Sequence, residues 1–297
     1  MADQQRDENF AYAGKNLGSR TFSTTDEMLA NYYDGLEVED SYYSAGSIYD
    51  QAVAPTMTLT EVDTGFRGAG MPNNFGNLWI RQQWEINSPI IPGQEYNVTS
   101  KVLDIYDHRN RDIVLQQVSL WSPDGELMAQ GHHHQSYMQD QTSGRVALRD
   151  PKAKGGVRRF NVPDGEFVEG SPHAISIEMC GTFFHGNANY HTNIDAANEL
   201  GFDEVVVGGR MTMSYVGDLL DRHFGKTWYE GGKIDLKFTN ITWPGDSVIP
   251  KAVVTDETVV DGEKRANVAV WVEKEDGTVV IVGFLTLAAG GPLALPG

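Results

Sequence analysis

Apolar and polar residues alternate with period two in several runs, among them VLQQVSLW (114–121) and VAVWVE (268–273). Alternation of this kind marks strands of a sheet with one covered face. The period lengthens to that of a helix in GGRMTMSYVGDLLDRHFG (208–225), where Met211, Tyr215, Leu219, Leu220 and Phe224 share one face and Gly225 supplies a stop. A second, less regular segment, APTMTLTEVDTGF (54–66), carries Met57, Leu59, Val62 and Phe66 and is predicted to hold the corresponding helix earlier in the chain. Short helices lead into both: Thr24-x-x-Glu27 reads as a capping box before MLANYYDGL, and Asn193 can cap DAANEL with Gly201 closing it.

The strand patterns occur twice. WEINSPIIPGQEYNVTSKVLDI (84–105) and LKFTNITWPGDSVIPKAVVTDE (236–257) each run from alternation through Pro-Gly to alternation, and 245 − 93 = 152 separates Gly245 from Gly93. Asp124-Gly125 matches Asp276-Gly277 and Gly131 matches Gly283 at the same offset, 277 − 125 = 152. Pro-Gly and Asp-Gly stand where strands must reverse, so turn markers in one ungapped register indicate two copies of one fold. Each copy orders short helix, longer helix, then antiparallel strands able to wrap that helix. The pattern predicts an α+β double hot-dog fold, its two sheets joined edge to edge. The expected division is a degenerate first hot dog over 1–138, a connector over 139–170 and a second hot dog over 171–297.

A chain of 297 residues, 40% of them apolar, is long enough for this core. No stretch approaches a spanning helix and the start lacks an export pattern, so the expectation is a cytoplasmic protein off the membrane. The single Cys180 excludes an intramolecular disulfide and reads as a small core residue. A formal net charge of −18 opposes nucleic acid as a partner. Against that charge, Arg145, Arg149, Lys152, Lys154, Arg158 and Arg159 form a local basic island, read as a solvated linker rather than a phosphate contact.

HGNANYHTNIDAANELGFDEVVVGG (185–209) resembles the hydratase 2 motif of the MaoC-like dehydratases, the family of (R)-specific enoyl-CoA hydratases, through Gly186, Asn189, His191, Ala197, Gly201, Phe202 and Gly209. Two positions depart from the motif. The loop aspartate is replaced by Asn187, or by Gly186 without a gap, and the His-Gly dipeptide by Gly208-Gly209. The resemblance implies a hydro-lyase acting on an acyl-CoA or acyl-carrier thioester without metal or organic cofactor. His191 would be general base and acid, Asn187 would orient water or substrate, and the Gly209 N–H would polarise the thioester carbonyl. Gly208, Asn189, Gly186 and Arg210 would bind substrate.

The chemistry fits these residue types. A neutral imidazole can take a proton from water and return one to the α-carbon. An amide hydrogen-bonds but cannot carry that proton. The first N–H groups of a helix favour developing negative charge. The first copy has no histidine matching 185–191, so one site per chain is expected, and the empty half is read as space for a bulky acyl group.

His132-His133-His134 ends a first-copy strand. Only His132 and His134 share a face, and no flanking Cys or carboxylate completes a metal set. Two alternatives stay open. One is a thioesterase on the same fold using Asp218 of the longer helix; the other is a non-catalytic acyl-thioester-binding protein. Paired hot dogs are expected to associate further into homo-oligomers.

Overall fold

The computed structural model describes residues 7–44, 46–148, 160–260 and 262–288. Most of the basic island, from Arg149 to Arg159, lies outside them; Arg145 is described, and its Nε lies 2.8 Å from Asp203 Oδ1 on the surface. The first half contains β1 (Asn16–Phe22), α1 (Asp26–Leu36), a 3₁₀ segment (Thr56–Glu61), β2 (Leu78–Ile86), β3 (Tyr96–Asp107), β4 (Arg111–Trp121) and β5 (Leu127–Met138). The second contains β6 (Glu166–Glu169), β7 (His173–Ala174), α2 (Ile177–Phe183), α3 (Ile194–Glu199), α4 (Gly209–Phe224), α5 (Lys226–Tyr229), β8 (Lys233–Phe238), β9 (Ser247–Val260), β10 (Glu263–Lys274) and β11 (Val279–Ala288).

The matched turns occupy matched places. Gly93 lies between β2 and β3 and Gly125 between β4 and β5; Gly245 and Gly277 do the same for β8–β9 and β10–β11, all four with φ between +75° and +94°. Glycine reaches that left-handed region without the penalty a Cβ imposes, which is why these turns are readable in the sequence. The third marker has a different cause. A Cβ on Gly131 would lie 2.6 Å from the Trp84 ring, and one on Gly283 would lie 2.3 Å from the Asp235 carbonyl.

All strands among the described residues join one antiparallel sheet in the order β1-β3-β4-β5-β2-β8-β11-β10-β9-β6, with β7 pairing β9 off that path. The halves meet edge to edge at β2–β8, in register from Arg81↔Lys237 to Glu85↔Lys233. Arg81 makes a two-pronged ion pair with Asp235 across that seam, and Lys233 another with Glu85 at 2.6 Å. Pairing two edges removes rows of backbone groups that would otherwise invite aggregation. The α+β double hot-dog fold is the architecture observed. Part of the 139–170 segment is itself ordered, since β6 extends the sheet at β9 and Phe160 and Phe167 pack on Trp271.

α4 runs where the helical period placed it, burying Met211, Tyr215, Leu219, Leu220 and Phe224 against β9, β10 and the 3₁₀ segment. Its first-half counterpart differs from the expectation. Only Thr56–Glu61 is helical, and as 3₁₀. Pro55 precedes it, and Thr56, Thr58, Thr60 and Val62 put a β-branched residue at every second position. Such residues lose side-chain freedom in a helix. Two threonines also spend their hydroxyls elsewhere: Thr58 on the Pro55 carbonyl at 2.8 Å and Thr56 on Asp221 at 2.6 Å. The segment presses directly on α4 at Gly217, where a Cβ would stand 2.3 Å from Met57 Cγ.

Asp221 ties the halves together. It is fully buried and accepts from Thr56 N and Oγ1 and from Trp228 Nε1, with the Tyr43 hydroxyl beside Oδ2. Burial nevertheless raises its pKa to about 7, with the Thr56 bonds opposing. Tyr43 can donate to only one carboxylate; its oxygen is 2.9 Å from Asp218 and 3.1 Å from Asp221, so a proton on Asp221 Oδ2 completes the chain.

The cap of α1 is displaced by one residue from the expected position. Thr25, not Thr24, accepts from Met28 N at 3.1 Å; N3 is then Met28, not Glu27, and Thr24 is buried. Asn193 caps α3 as expected, accepting from Ala196 N at 3.0 Å, and Gly201 follows with φ +86°.

Candidate active site

The loop between α2 and α3 is built by its own hydrogen bonds. His185 and Gly186 turn it through the left-handed region, with φ of +57° and +69°. Asn187 Nδ2 donates to the Phe184 carbonyl at 2.8 Å, and Thr192 Oγ1 donates to the Asn187 carbonyl at 2.7 Å. Asn189 Oδ1 accepts from His191 N at 2.8 Å, an Asx turn that sets the direction of the histidine. Asn187 itself is exposed, and its amide nitrogen is committed to closing the loop.

His191 is half-buried. Its Nδ1 lies 2.8 Å from the Val206 carbonyl oxygen, which can only accept, so the neutral ring carries its proton on Nδ1 and its lone pair on Nε2. Nε2 has no protein partner among the described residues. The imidazole stacks on Phe184 at 4.6 Å and lies against Tyr190 at 3.8 Å. Burial pushes its pKa down to about 4; Arg210 acts in the same direction and the Val206 carbonyl opposes. The ring is therefore neutral throughout the physiological range.

Val206 is also what brings this imidazole to the start of α4, three residues further on. Gly208 caps that helix with φ −62°, and the N–H groups of Gly209 and Arg210 open its first turn, where no preceding carbonyl is placed to accept. Aromatic rings crowd the two glycines. A Cβ on Gly208 would stand 2.3 Å from Phe184 Cζ, and one on Gly209 would stand 3.0 Å from both Trp79 Cε3 and Phe238 Cε1. Phe184 thus touches Gly208 with one part of its ring and supports His191 with its face.

Arg210 turns toward the first half. Its Nη1 is 2.8 Å from Glu61 Oε2, and the guanidinium lies over Phe184, 4.9 Å from the ring centre. Glu61 also faces His185 Nε2 at 3.7 Å, and His185 Nδ1 meets Asn31 at 2.9 Å. The motif gave no hint of Glu61, which reaches the loop from the end of the 3₁₀ segment.

The other candidates are placed as follows. Asp218 pairs with Arg222 at 2.8 Å and accepts from Tyr43 at 2.9 Å. Cys180 is buried, and burial raises its thiol to about 11. Among the described residues no His, Cys, Asp and Glu cluster has metal-binding form. A cleft of about 320 Å³ lies on the outer sheet face over the β2–β8 seam, among Gln83, His132, Asp235 and Phe284, and does not reach the 185–191 loop.

The fold is shared with solved structures described as MaoC-like dehydratases. A MaoC-like dehydratase of Phytophthora capsici superposes with a TM-score of 0.67 at 15% identity, covering 97% of this chain and 99% of its own. A conserved Mycobacterium tuberculosis protein described as a double hotdog gives 0.64 at 9% identity, covering 94% and 96%. A Lactobacillus plantarum protein described as an oleoyl thioesterase gives 0.52 at 12%, covering 93% and 96%. No family model matches the sequence, and no curated protein matches it either.

Proposed function

We propose that the chain is a hydro-lyase that adds water to, or removes it from, the 2,3-position of an acyl-CoA or acyl-carrier thioester. The observation carrying this reading is His191, with Nδ1–H fixed on the Val206 carbonyl and Nε2 unpartnered, anchored three residues before the free N–H groups of α4. In the hydration direction Nε2 takes a proton from water as the water oxygen bonds to the β-carbon. The imidazolium then returns a proton to the α-carbon. Between these steps negative charge rests on the thioester oxygen, where the Gly209 N–H and the positive end of the α4 dipole stabilise it. No metal or organic cofactor is needed for that sequence.

Asn187 has no ionisable proton and its nitrogen holds the loop, so its part in orienting water or substrate falls to the amide oxygen. Asn189 and Gly186 shape the loop that substrate meets. Gly208 leaves room for Phe184 behind the imidazole, and Arg210 offers a cation beside the site. The two hot-dog units span 1–138 and 171–297, joined by 139–170, with the site on the second.

A binding protein without turnover is the second reading, favoured by the rings of Phe184 and Tyr190 that cover much of His191. Incubation with crotonyl-CoA, following loss of the conjugated double bond and release of free thiol in parallel, separates the readings. Hydration without thiol release supports the hydro-lyase, thiol release alone would replace it with a thioesterase, and tight binding with neither would leave a binding protein.

A further inference from the structure

The 152-residue register compares the inner faces of the two halves position by position. In the second half Ile234, Ala252, Val268 and Leu285 are buried core. The first half has Gln82, Ser100, Gln116 and His133 at those positions. Gln82, Ser100 and Gln116 are themselves buried, and the strands align Gln82↔His133 and His133↔Gln116 on one face. Four apolar positions have become polar in one contiguous band, a costly exchange unless the groups are paired.

The pairing is incomplete. Gln116 Nε2 donates to Ser100 Oγ at 2.9 Å, and His133 Nε2 meets Gln135 Oε1 at 3.1 Å. Asp63, two residues beyond Glu61, enters from above the band with its side chain 3% exposed. Its Oδ2 lies 3.2 Å from His133 Nδ1 without a hydrogen bond of ordinary geometry. Gln82 Nε2 donates to the Gln83 carbonyl at 3.3 Å, which fixes the amide orientation and leaves Gln82 Oε1 buried with no partner. Trp79 connects this band to the α4 N-terminus. Its ring stacks on His133 at 4.9 Å and abuts Gly209.

We propose that this band recognises a hydroxyl group carried on the acyl chain beyond the reacting carbons, so that the preferred substrate is a hydroxylated acyl thioester. The proposal rests on the acyl-thioester reading above. The unpartnered atoms, Gln82 Oε1 and Asp63 Oδ2, are acceptors and call for a donor; the Ser100 hydroxyl is already given to the Gln117 carbonyl at 3.0 Å, and the Gln116 amide nitrogen to Ser100 Oγ at 2.9 Å and the Asp63 carbonyl at 3.3 Å, so the band itself has no donor to spare for them. A hydroxyl supplies that donor. A carbonyl oxygen would face Gln82 Oε1 lone pair to lone pair, and a hydrocarbon chain would leave both acceptors unpaired, the situation in which polar sites discriminate most strongly.

The test measures calorimetric binding of ω-hydroxyhexanoyl-CoA, hexanoyl-CoA and the corresponding ω-oxo thioester to wild type, Gln82→Ile and Gln116→Val. These variants install the residues that the second half already buries, and thermal unfolding confirms that they fold. Wild type is expected to prefer the hydroxylated chain over both others by about tenfold or more. Each variant is expected to lose most of that preference. Equal binding of the three chains by wild type, or a preference unchanged in both variants, would overturn this proposal alone. Binding of none would overturn the thioester reading and this proposal with it.

Discussion

Gly208→Ala places a methyl group against the support of the candidate base. The backbone at Gly208, φ −62° and ψ 134°, suits alanine, so any effect is steric. The new Cβ would stand 2.3 Å from Phe184 Cζ and 2.8 Å from Cε2, well inside van der Waals contact, so the ring must retreat by about 1 Å. Phe184 has little room. It is buried, meets Phe183 edge-on at 5.2 Å and stacks on His191 at 4.6 Å, so the imidazole shifts with it. Overpacking of this kind costs about 1–3 kcal/mol of stability. A displacement of about 1 Å in a catalytic group costs about a hundredfold in rate. Urea unfolding and steady-state hydration of crotonyl-CoA measure the two effects. A stably folded Gly208→Ala enzyme with wild-type kcat would refute the coupling of Gly208, Phe184 and His191.

Other consequences are similarly direct. Burial holds His191 near pKa 4 instead of 6.5, so kcat/KM should stay flat as pH falls to about 5 and lose activity only near pH 4; an acid limb centred at 6.5 would contradict the burial argument. The same shift adds stability that is fully present above pH 6.5 and is lost as pH falls through 4, and comparison with His191→Ala by urea unfolding across that window reads it. Asp221 acts with the opposite sign. Its pKa is raised to about 7, so its protonated form adds stability present below pH 3.8 and lost as pH rises through 7. Replacing it with Asn sets an amide nitrogen among donors, at a cost of about 1–3 kcal/mol. The deficit of Asp221→Asn should be greater at pH 5 than at pH 8, and an equal deficit would show that the carboxyl does not titrate there. Finally, Gly93→Ala pays only for its left-handed φ of +75°, about 1–2 kcal/mol, whereas Gly131→Ala drives a methyl into Trp84 and should lower Tm further.

The sequence revealed the elements whose causes are local. Gly93, Gly125, Gly245 and Gly277 occupy positions that other residues adopt at a penalty, and the apolar stripe of α4 is continuous over its whole length, so turns, repeat and main helix could all be read. The 3₁₀ segment departs from the helix that apolar spacing over 54–66 predicts, because Thr56 gives its hydroxyl to Asp221, a partner far along the chain that no local pattern shows. The helix cap falls at Thr25 rather than Thr24, a one-residue difference that adjacent threonines of the same chemistry leave open. Within the candidate site, the Asx turn of Asn189 and the cap at Asn193 are local and legible. Glu61 and Asp63 are not: Glu61 reaches Arg210 and His185 in the other half, and Asp63 meets His133 on a strand far along the same half. For the histidine triplet, alternation correctly grouped His132 with His134, but it was His133 that faced inward to a carboxylate the flanking sequence did not show. A signal did exist: the 152-residue offset sets His133 opposite Leu285, a core position, and would have marked it as the histidine to examine.

The central claim is that a neutral imidazole at position 191 performs acid–base chemistry on an acyl thioester. The most direct measurement is the single-turnover hydration rate of crotonyl-CoA by wild type and by His191→Ala, with unfolding curves recorded for both. The account predicts a loss of about a hundredfold to ten-thousandfold in the chemical step, the range of general acid–base catalysis, in a variant that still folds. Hydration by the alanine variant at the wild-type rate would contradict it.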